Sequence, residues 1–358
     1  MKSNDPYMMD SCKLKFHPGA IHNHYVLGKK IPPINIDVGL TKACNAKCVY
    51  CYGNKQVMAN DIMPWNVTIN LFKDAPRLGV KSMTITGDGE PTLNPALKDA
   101  LIYGHQGGLD IGLATNGILL DSNLIYTILG TCTWCRINIS AHDRQSYKSV
   151  HGVDCWEKVQ ANITQMVKIK NTIGSKCTIG LQMVYLPECV NYVIPEAKWA
   201  IDLGLDYFVV KQYSQPGCES MSDFDLKWYD SADAMWALYE AQELSNEQTR
   251  IIIKWDRIDA KGVRPFDRCV DCALIFQISG NSKCYPCGYL FNDERYCYGN
   301  LKVQTLEEIL TSQHYWDIVH YMREEFDVHT QCTGECRHSA TCEYIWDFLN
   351  KPKHLNFI

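Results

Sequence analysis

From residue 34 to about residue 212, short apolar runs alternate with longer segments whose apolar positions recur at helical spacing. The runs 34–38, 82–86, 110–115, 135–140, 178–184 and 207–211 are short and apolar, as buried strands are. The stretches 66–78, 95–105, 122–129, 156–170 and 193–203 read as helices, several of them followed by glycine, as helix ends are. Strands separated by helices predict parallel βαβ units, because each parallel return needs a crossover of a dozen or more residues. The alternation therefore predicts an α/β fold. Beyond it, the pattern predicts a helix over 224–244, a strand over 250–254 and a hairpin that turns at Ser279-Gly280-Asn281-Ser282. A capping box, Thr305 to Glu308, opens a short helix over 305–310.

The chain has 358 residues, enough for one large domain or two. A net charge of −5 supplies no basic field, so neither a nucleic acid nor an anionic membrane is an expected partner. No apolar run approaches the ~20 residues of a membrane span. The polar residues 1–12 carry no charged-then-apolar signal pattern. Eighteen cysteines in a chain of this size, several in Cys-x2-Cys pairs, read as metal binding in a reducing compartment. A cytoplasmic, oxygen-sensitive protein is the expectation.

Three of those cysteines, Cys44, Cys48 and Cys51, fall within eight residues just after the first strand. Three thiolates can hold three irons of a cubane and leave the fourth without a protein ligand, whereas [4Fe–4S] clusters otherwise take four cysteines. Zinc is the alternative, but it wants a fourth Cys or His nearby, and none follows before His105. After the second strand comes Gly87-Asp88-Gly89-Glu90-Pro91, where glycines permit close backbone approach and a carboxylate can receive an ammonium group. The third strand ends at Thr115-Asn116-Gly117, the fourth at Asn138-Ile139-Ser140-Ala141-His142-Asp143, and the sixth at Lys211-Gln212-Tyr213-Ser214-Gln215.

The Cys-x3-Cys-x2-Cys run, with Tyr50 before its last cysteine, resembles the signature of the radical S-adenosylmethionine (radical SAM) enzymes. The resemblance implies a partial (β/α)6 TIM-like barrel over 34–222, after an N-terminal flank of residues 1–33, with its site at the strand C-terminal ends. It implies a [4Fe–4S] cluster on Cys44, Cys48 and Cys51, whose open iron is chelated by S-adenosylmethionine (SAM). Gly89 and Glu90 align with the element that holds the methionine amine; Asp88 departs from it, standing where the family has glycine. Ser140 would bond the ribose, Val184 at the end of the fifth strand would meet the adenine, and Thr115 and Asn116 would line the cavity. Lys211 is the candidate catalytic or substrate-contacting residue, with an ion pair as its structural alternative. His142 and Asp143 are minor acid–base candidates.

Cysteines cluster again after the barrel segment: Cys269-x2-Cys272, Cys284 and Cys287 on the hairpin, Cys297, and Cys332-x3-Cys336-x5-Cys342. Their order, with Gly299-Asn300-Leu301 and the Leu-Glu-Glu-Ile helix between them, resembles the SPASM/twitch extensions that carry auxiliary iron–sulfur clusters. Residues 223–358 would then form a small α+β auxiliary domain with at least one [4Fe–4S] cluster on Cys269, Cys272 and Cys287 plus Cys332 or Cys336. Two clusters would recruit Cys284, Cys297 and Cys342; structural zinc is the alternative. Cys12, Cys132, Cys135, Cys155, Cys177, Cys189 and Cys218 read as inert thiols. The implied activity is reductive cleavage of SAM to a 5′-deoxyadenosyl radical that takes hydrogen from a small polar substrate (a sugar, nucleotide-sugar or nucleoside). The outcome would be dehydrogenation, epimerisation or decarboxylation. The alternatives are modification of a peptide or protein side chain, and a non-enzymatic metal-binding protein. An electron donor such as flavodoxin or ferredoxin is the expected partner.

Overall fold

The structure, a computed structural model, describes residues 5–9, 12–51, 60–214, 225–332 and 336–357. Gln215, Cys218 and the first residue of the expected 224–244 helix lie outside the described residues. The six anticipated strands are β1 (Asn35–Val38), β2 (Ser82–Ile85), β3 (Asp110–Thr115), β4 (Trp134–Asn138), β5 (Thr178–Tyr185) and β6 (Tyr207–Gln212). They lie side by side in chain order and all run parallel.

Later strands extend the same sheet at both edges. β7 (Arg250–Ile253) pairs parallel with β6, and β8 (Ile275–Ile278) pairs parallel with β1. The expected hairpin is therefore not a separate ribbon: β8 belongs to the main sheet, and β9 (Lys283–Tyr285) and β10 (Gly299–Asn300) continue from it antiparallel. The strand order β10-β9-β8-β1-β2-β3-β4-β5-β6-β7 leaves the sheet open, since β10 and β7 do not pair.

The helices in chain order are α1 (Pro18–Ile21), α2 (Trp65–Arg77), α3 (Leu97–Gln106), α4 (Ser122–Thr131), α5 (Arg144–His151), α6 (Trp156–Ile173) and α7 (Val193–Asp202). After them come α8 (Ala232–Glu243), α9 (Trp255–Ala260), α10 (Leu306–Thr311), α11 (Gln313–Glu324) and α12 (Ser339–Leu349). The helix expected over 224–244 starts later, because Ser231 accepts from Ala234 N and caps α8. Helix α5 had no counterpart in the periodicity. Asp143 and Ser146 cap its start reciprocally and Gly152, at φ +69°, closes it. Asp143 is thus a helix cap, and His142 is an exposed residue beside it.

Strand side chains alternate between two faces. Ile36, Met83, Leu113, Ile137, Leu181 and Phe208 are fully buried in the main apolar core. Their neighbours Asp37, Thr84, Ala114, Arg136, Asn138, Gln182 and Lys211 line an interior cavity of about 850 Å³. At one end of this lumen Tyr207, Val209 and Ile252 form a separate apolar cluster, against which Tyr7 and Met9 pack. Burial thus distinguishes an apolar outer face from a polar lumen.

Candidate active site

The three-cysteine loop leaves the C-terminal end of β1 and is fastened at both ends of its turn. Lys47 N and Val49 N donate to His151 O and Val150 O, each at 2.9 Å, and Ala43 O receives Glu90 N at 2.9 Å. Three backbones then approach so closely that side chains do not fit. A Cβ on Gly89 would meet Ala43 O and Thr41 O at 2.4 Å, and one on Gly280 would meet Thr41 C at 2.3 Å. The β1, β2 and β8 turns are therefore stacked into one platform beneath the cysteines.

Asp88 joins that platform. Its buried carboxylate accepts Ser279 Oγ at 2.6 Å and Gly280 N at 3.1 Å, tying the β2 turn to the β8–β9 turn. This accounts for the departure from glycine at that position: Asp88 is an internal clamp. Glu90 is buried as well, and Oε1 accepts Thr115 Oγ1 at 2.6 Å, Thr92 Oγ1 at 2.7 Å and Thr92 N at 3.2 Å. Its Oε2 accepts Asn116 N at 2.8 Å, leaving acceptor capacity on that oxygen. Asn116 Nδ2 donates to Asn45 Oδ1 at 2.7 Å, so the acid is coupled to the cysteine loop itself. Burial raises the Glu90 pKa despite these donors.

Among the cysteines, burial pushes the Cys44 thiol up to about 11, with repulsion from Glu90 and Cys51 adding. Cys48 goes up to about 12 by burial, with its two neighbouring thiols again contributing. His151, which the sequence reading passed over, completes the site. Ser140 N donates to its Nε2 at 3.0 Å, so the neutral ring carries its proton on Nδ1, 3.3 Å from Cys48 Sγ and 3.4 Å from Tyr50 OH. Burial lowers the His151 pKa to about 3, which keeps it neutral. The signal that could have found it is the Asp143–Ser146 cap followed by Gly152, which frames a short helix carrying Tyr147 and His151 on one face.

Tyr50, Gly89, Glu90, Thr115, Asn116 and Lys211 line the cavity together with Cys44, Cys48 and Cys51. Ser140 and Val184 are not among its lining residues. Ser140 is fully buried; its Oγ accepts Val184 N at 2.9 Å, joining β4 to β5, and its side chain also bonds with that of Tyr50. The wall there is made by Asn138, which donates to Tyr50 OH, and by Gln182, whose Nε2 donates to Asn138 Oδ1 at 2.7 Å.

A second thiol group lies beyond β8. Cys269 Sγ and Cys272 Sγ are 3.3 Å apart, and ligand atoms of Cys269, Asp271 and Cys342 all fall within 4.8 Å of one another. Cys336 hydrogen-bonds with Cys342. Burial pushes the Cys287 thiol up to about 12, with Cys336 and Cys332 adding. Cys342, on the first turns of α12, thus joins the cysteines expected for a single site, whereas Cys284 is buried toward Cys297. His338 spans the gap to the lumen, 3.7 Å from both Asp37 and Asp271. Burial alone would lower its pKa, but the two carboxylates outweigh burial and raise it.

An open parallel barrel with a three-cysteine loop after β1 and an acidic turn after β2 defines a radical SAM protein, and residues 38–186 match the radical SAM superfamily. This part of the chain is a radical SAM domain, and the protein is an enzyme of that class, whose cofactors are a [4Fe–4S] cluster and SAM. Over nearly its whole length it is similar to the tungsten-containing aldehyde ferredoxin oxidoreductase cofactor-modifying protein of Pyrococcus furiosus. The two are 21% identical over 328 residues, 86% of this chain and 88% of that one. It is 32% identical over 143 residues to a probable GTP 3′,8-cyclase of Pyrococcus abyssi, a match that spans only 45% of that protein. In fold it resembles Streptococcus suis SuiB bound to its precursor peptide SuiA, with a TM-score of 0.62 at 16% identity, over 86% of this chain and 71% of that one. Among the described residues, no helix is long and apolar enough to cross a membrane.

Proposed function

We infer that this radical SAM enzyme modifies a side chain of a peptide or protein. The observation that carries the chemistry is one cavity, about 850 Å³, lined at once by Cys44, Cys48, Cys51 and Glu90 and by Lys211 and the Cys336–His338 segment. It is at the upper end of ordinary ligand cavities, which run about 300–1,000 Å³, so SAM and a second reacting group can share it. The peptide reading is supported by the likeness in fold to SuiB in complex with its precursor peptide; the relative matched over nearly its whole length is named as a cofactor-modifying protein.

Cys44, Cys48 and Cys51 would hold the SAM-binding cluster; a cationic iron centre there would relieve the crowding by which Cys51 raises the pKa values of Cys44 and Cys48. When bound, that cluster supplies the electron that cleaves SAM to a 5′-deoxyadenosyl radical. The chain's own work is orientation. Glu90, fixed by Thr92, Thr115 and Asn116, offers its remaining acceptor site to the methionine amine. Asn138 and Gln182 give the wall amide groups for polar parts of SAM. Neutral His151 holds its Nδ1 proton toward Cys48 Sγ. Cys269, Cys272 and Cys287, with Cys332, Cys336 or Cys342 as the fourth ligand, would carry an auxiliary cluster, and a flavodoxin or ferredoxin would deliver electrons.

A small-molecule substrate remains the second reading, supported by the likeness over 143 residues to a probable GTP 3′,8-cyclase. The test is anaerobic reconstitution with iron and sulfide, then SAM, dithionite, and either the small-molecule or the macromolecular fraction of a host extract. Stimulated 5′-deoxyadenosine formation by the macromolecular fraction supports the peptide reading. Stimulation by the small-molecule fraction alone overturns it, and no SAM cleavage by the iron-replete protein overturns both.

A further inference from the structure

The lumen opposite the cysteine loop collects cations without counter-ions. Lys211 on β6 and Lys254, just after β7, both line the cavity. The β6–β7 register pairs Val210 with Ile253, which sets Lys254 across from Lys211 on one face. Like charges placed directly opposite across a sheet destabilise it. Arg136 on β4 lines the same space; its guanidinium lies over the Trp134 ring at 5.1 Å, and its buried Nε has no hydrogen-bond partner among the described residues. Neither lysine's ammonium group makes an ion pair or hydrogen bond with a described residue. Beneath them the lumen is closed by the apolar Tyr207, Val209 and Ile252 cluster.

The cavity's carboxylates are committed or remote. Asp37 is taken by Asn35 at 2.7 Å, Gln277 at 3.3 Å and His338 at 3.7 Å, and Glu90 by its four donors. Asp256, Asp259 and Glu343 are exposed at the rim. Burial, and then repulsion from Arg337, Arg136, Arg257 and Lys254, drives the Lys211 pKa well below its usual value; Lys254 falls to about 7 through burial and repulsion from Arg257 and Arg136, which outweigh the attraction of Asp5. A partly buried cation cluster of this kind is costly until an anion enters, and it then binds that anion strongly because the wall is already oriented.

We propose that Lys211, Arg136 and Lys254 form a receptor for an anionic group, a carboxylate or a phosphate, carried by the substrate. Resting on the enzymatic reading above, it makes the substrate an acidic one, in the peptide case a segment presenting an Asp, a Glu or a C-terminal carboxylate near the modified residue. SAM's own carboxylate is the competing occupant.

The probes are glutarate, inorganic phosphate and neutral glutaramide, titrated calorimetrically into the reconstituted holoenzyme, with SAM affinity measured in parallel. The wild type should bind at least one anion and not glutaramide, with glutarate favoured by a carboxylate site and phosphate by a phosphate site. Lys211→Gln and Arg136→Gln should each weaken that binding about tenfold or more. Lys211→Met should also raise the melting temperature of the anion-free protein, since it removes an unpaired charge, and this readout does not depend on any ligand. No anion binding by the wild type, or unchanged binding in both Gln variants, overturns the proposal. So does an equal loss of SAM affinity, which would assign the cations to SAM. Wild-type 5′-deoxyadenosine formation reports separately on the enzymatic reading: SAM cleavage without anion binding removes the receptor alone, and anion binding without cleavage removes only the reading beneath it.

Discussion

His151 Nδ1 lies 3.3 Å from Cys48 Sγ while its Nε2 accepts the Ser140 N–H at 3.0 Å, so one imidazole links the cysteine loop to the end of β4. The backbone donor fixes the tautomer, and the tautomer aims a proton at the sulfur. Groups that orient metal ligands in this way commonly change affinity or activity by about 10–100-fold when removed. His151→Phe keeps a ring stacked on Tyr147, now 4.4 Å away between centroids, but removes the donor. It should lower 5′-deoxyadenosine formation by about that factor and shift the reduction potential of the three-cysteine cluster downward, because a hydrogen bond to sulfur favours the reduced form. Unchanged potential and activity would make His151 a packing residue only.

Gly89 should tolerate no side chain. Its Cβ would fall 2.4 Å from two carbonyl oxygens of the cysteine loop, Thr41 O and Ala43 O, and neither belongs to a flexible side chain. Gly89→Ala should displace the loop and reduce cluster occupancy at Cys44, Cys48 and Cys51, seen as lost SAM-dependent change in the cluster's electron paramagnetic resonance spectrum. Iron in the C-terminal region should remain. By contrast, Asp88→Ala removes the clamp onto Ser279 and Gly280, leaves buried donors unpaired, and should cost about 1–3 kcal/mol in denaturant unfolding.

Glu196 on α7 predicts a pH dependence. It is fully buried, neither carboxylate oxygen has a hydrogen-bond partner among the described residues, and burial raises its pKa well above the usual carboxylate value of 4.5. The folded state therefore keeps a proton that the unfolded chain releases above about pH 4.5. Stability tied to this group is complete below that pH and declines as pH rises toward the elevated folded-state pKa. Glu196→Gln should raise the melting temperature by a few degrees at pH 8 and by little at pH 5. A difference that is constant across that range would show that Glu196 does not titrate on unfolding.

The barrel strands and the cysteine loop were legible because their signals are local: apolar runs of strand length, and three cysteines within eight residues. The pairing of β8 with β1 was not, because residues 240 positions apart meet there and only the hairpin turn is written locally. At the site, Glu90 and Asn116 were each readable as strand-end polar residues, yet the bond between them is tertiary. Ser140, expected to meet the ribose, lies just behind the cavity wall: β4 ends at Asn138, and past that point the strand alternation no longer holds. Asn138, two residues earlier and still in the strand, reaches the wall instead.

Cys342 separates the one-cluster and two-cluster arrangements. It approaches Cys269 and Asp271 within 4.8 Å and hydrogen-bonds with Cys336, while Cys284 sits in β9 facing Cys297. If the thiols around Cys269 form one site, Cys342 takes part in it or shields it, and Cys284 has no role in metal binding. Cys342→Ala should then lower iron by about four atoms per chain, the content of one [4Fe–4S] cluster, and Cys284→Ala should leave iron unchanged. Equal losses from the two variants would require a second auxiliary cluster that recruits Cys284 and Cys297. Zinc found in place of iron in the anaerobically purified protein would make the C-terminal site structural, whatever the cysteine substitutions do. Iron analysis, acid-labile sulfide and zinc measured on the same preparations distinguish these three results, because a cluster contributes iron and sulfide together and a zinc site contributes neither.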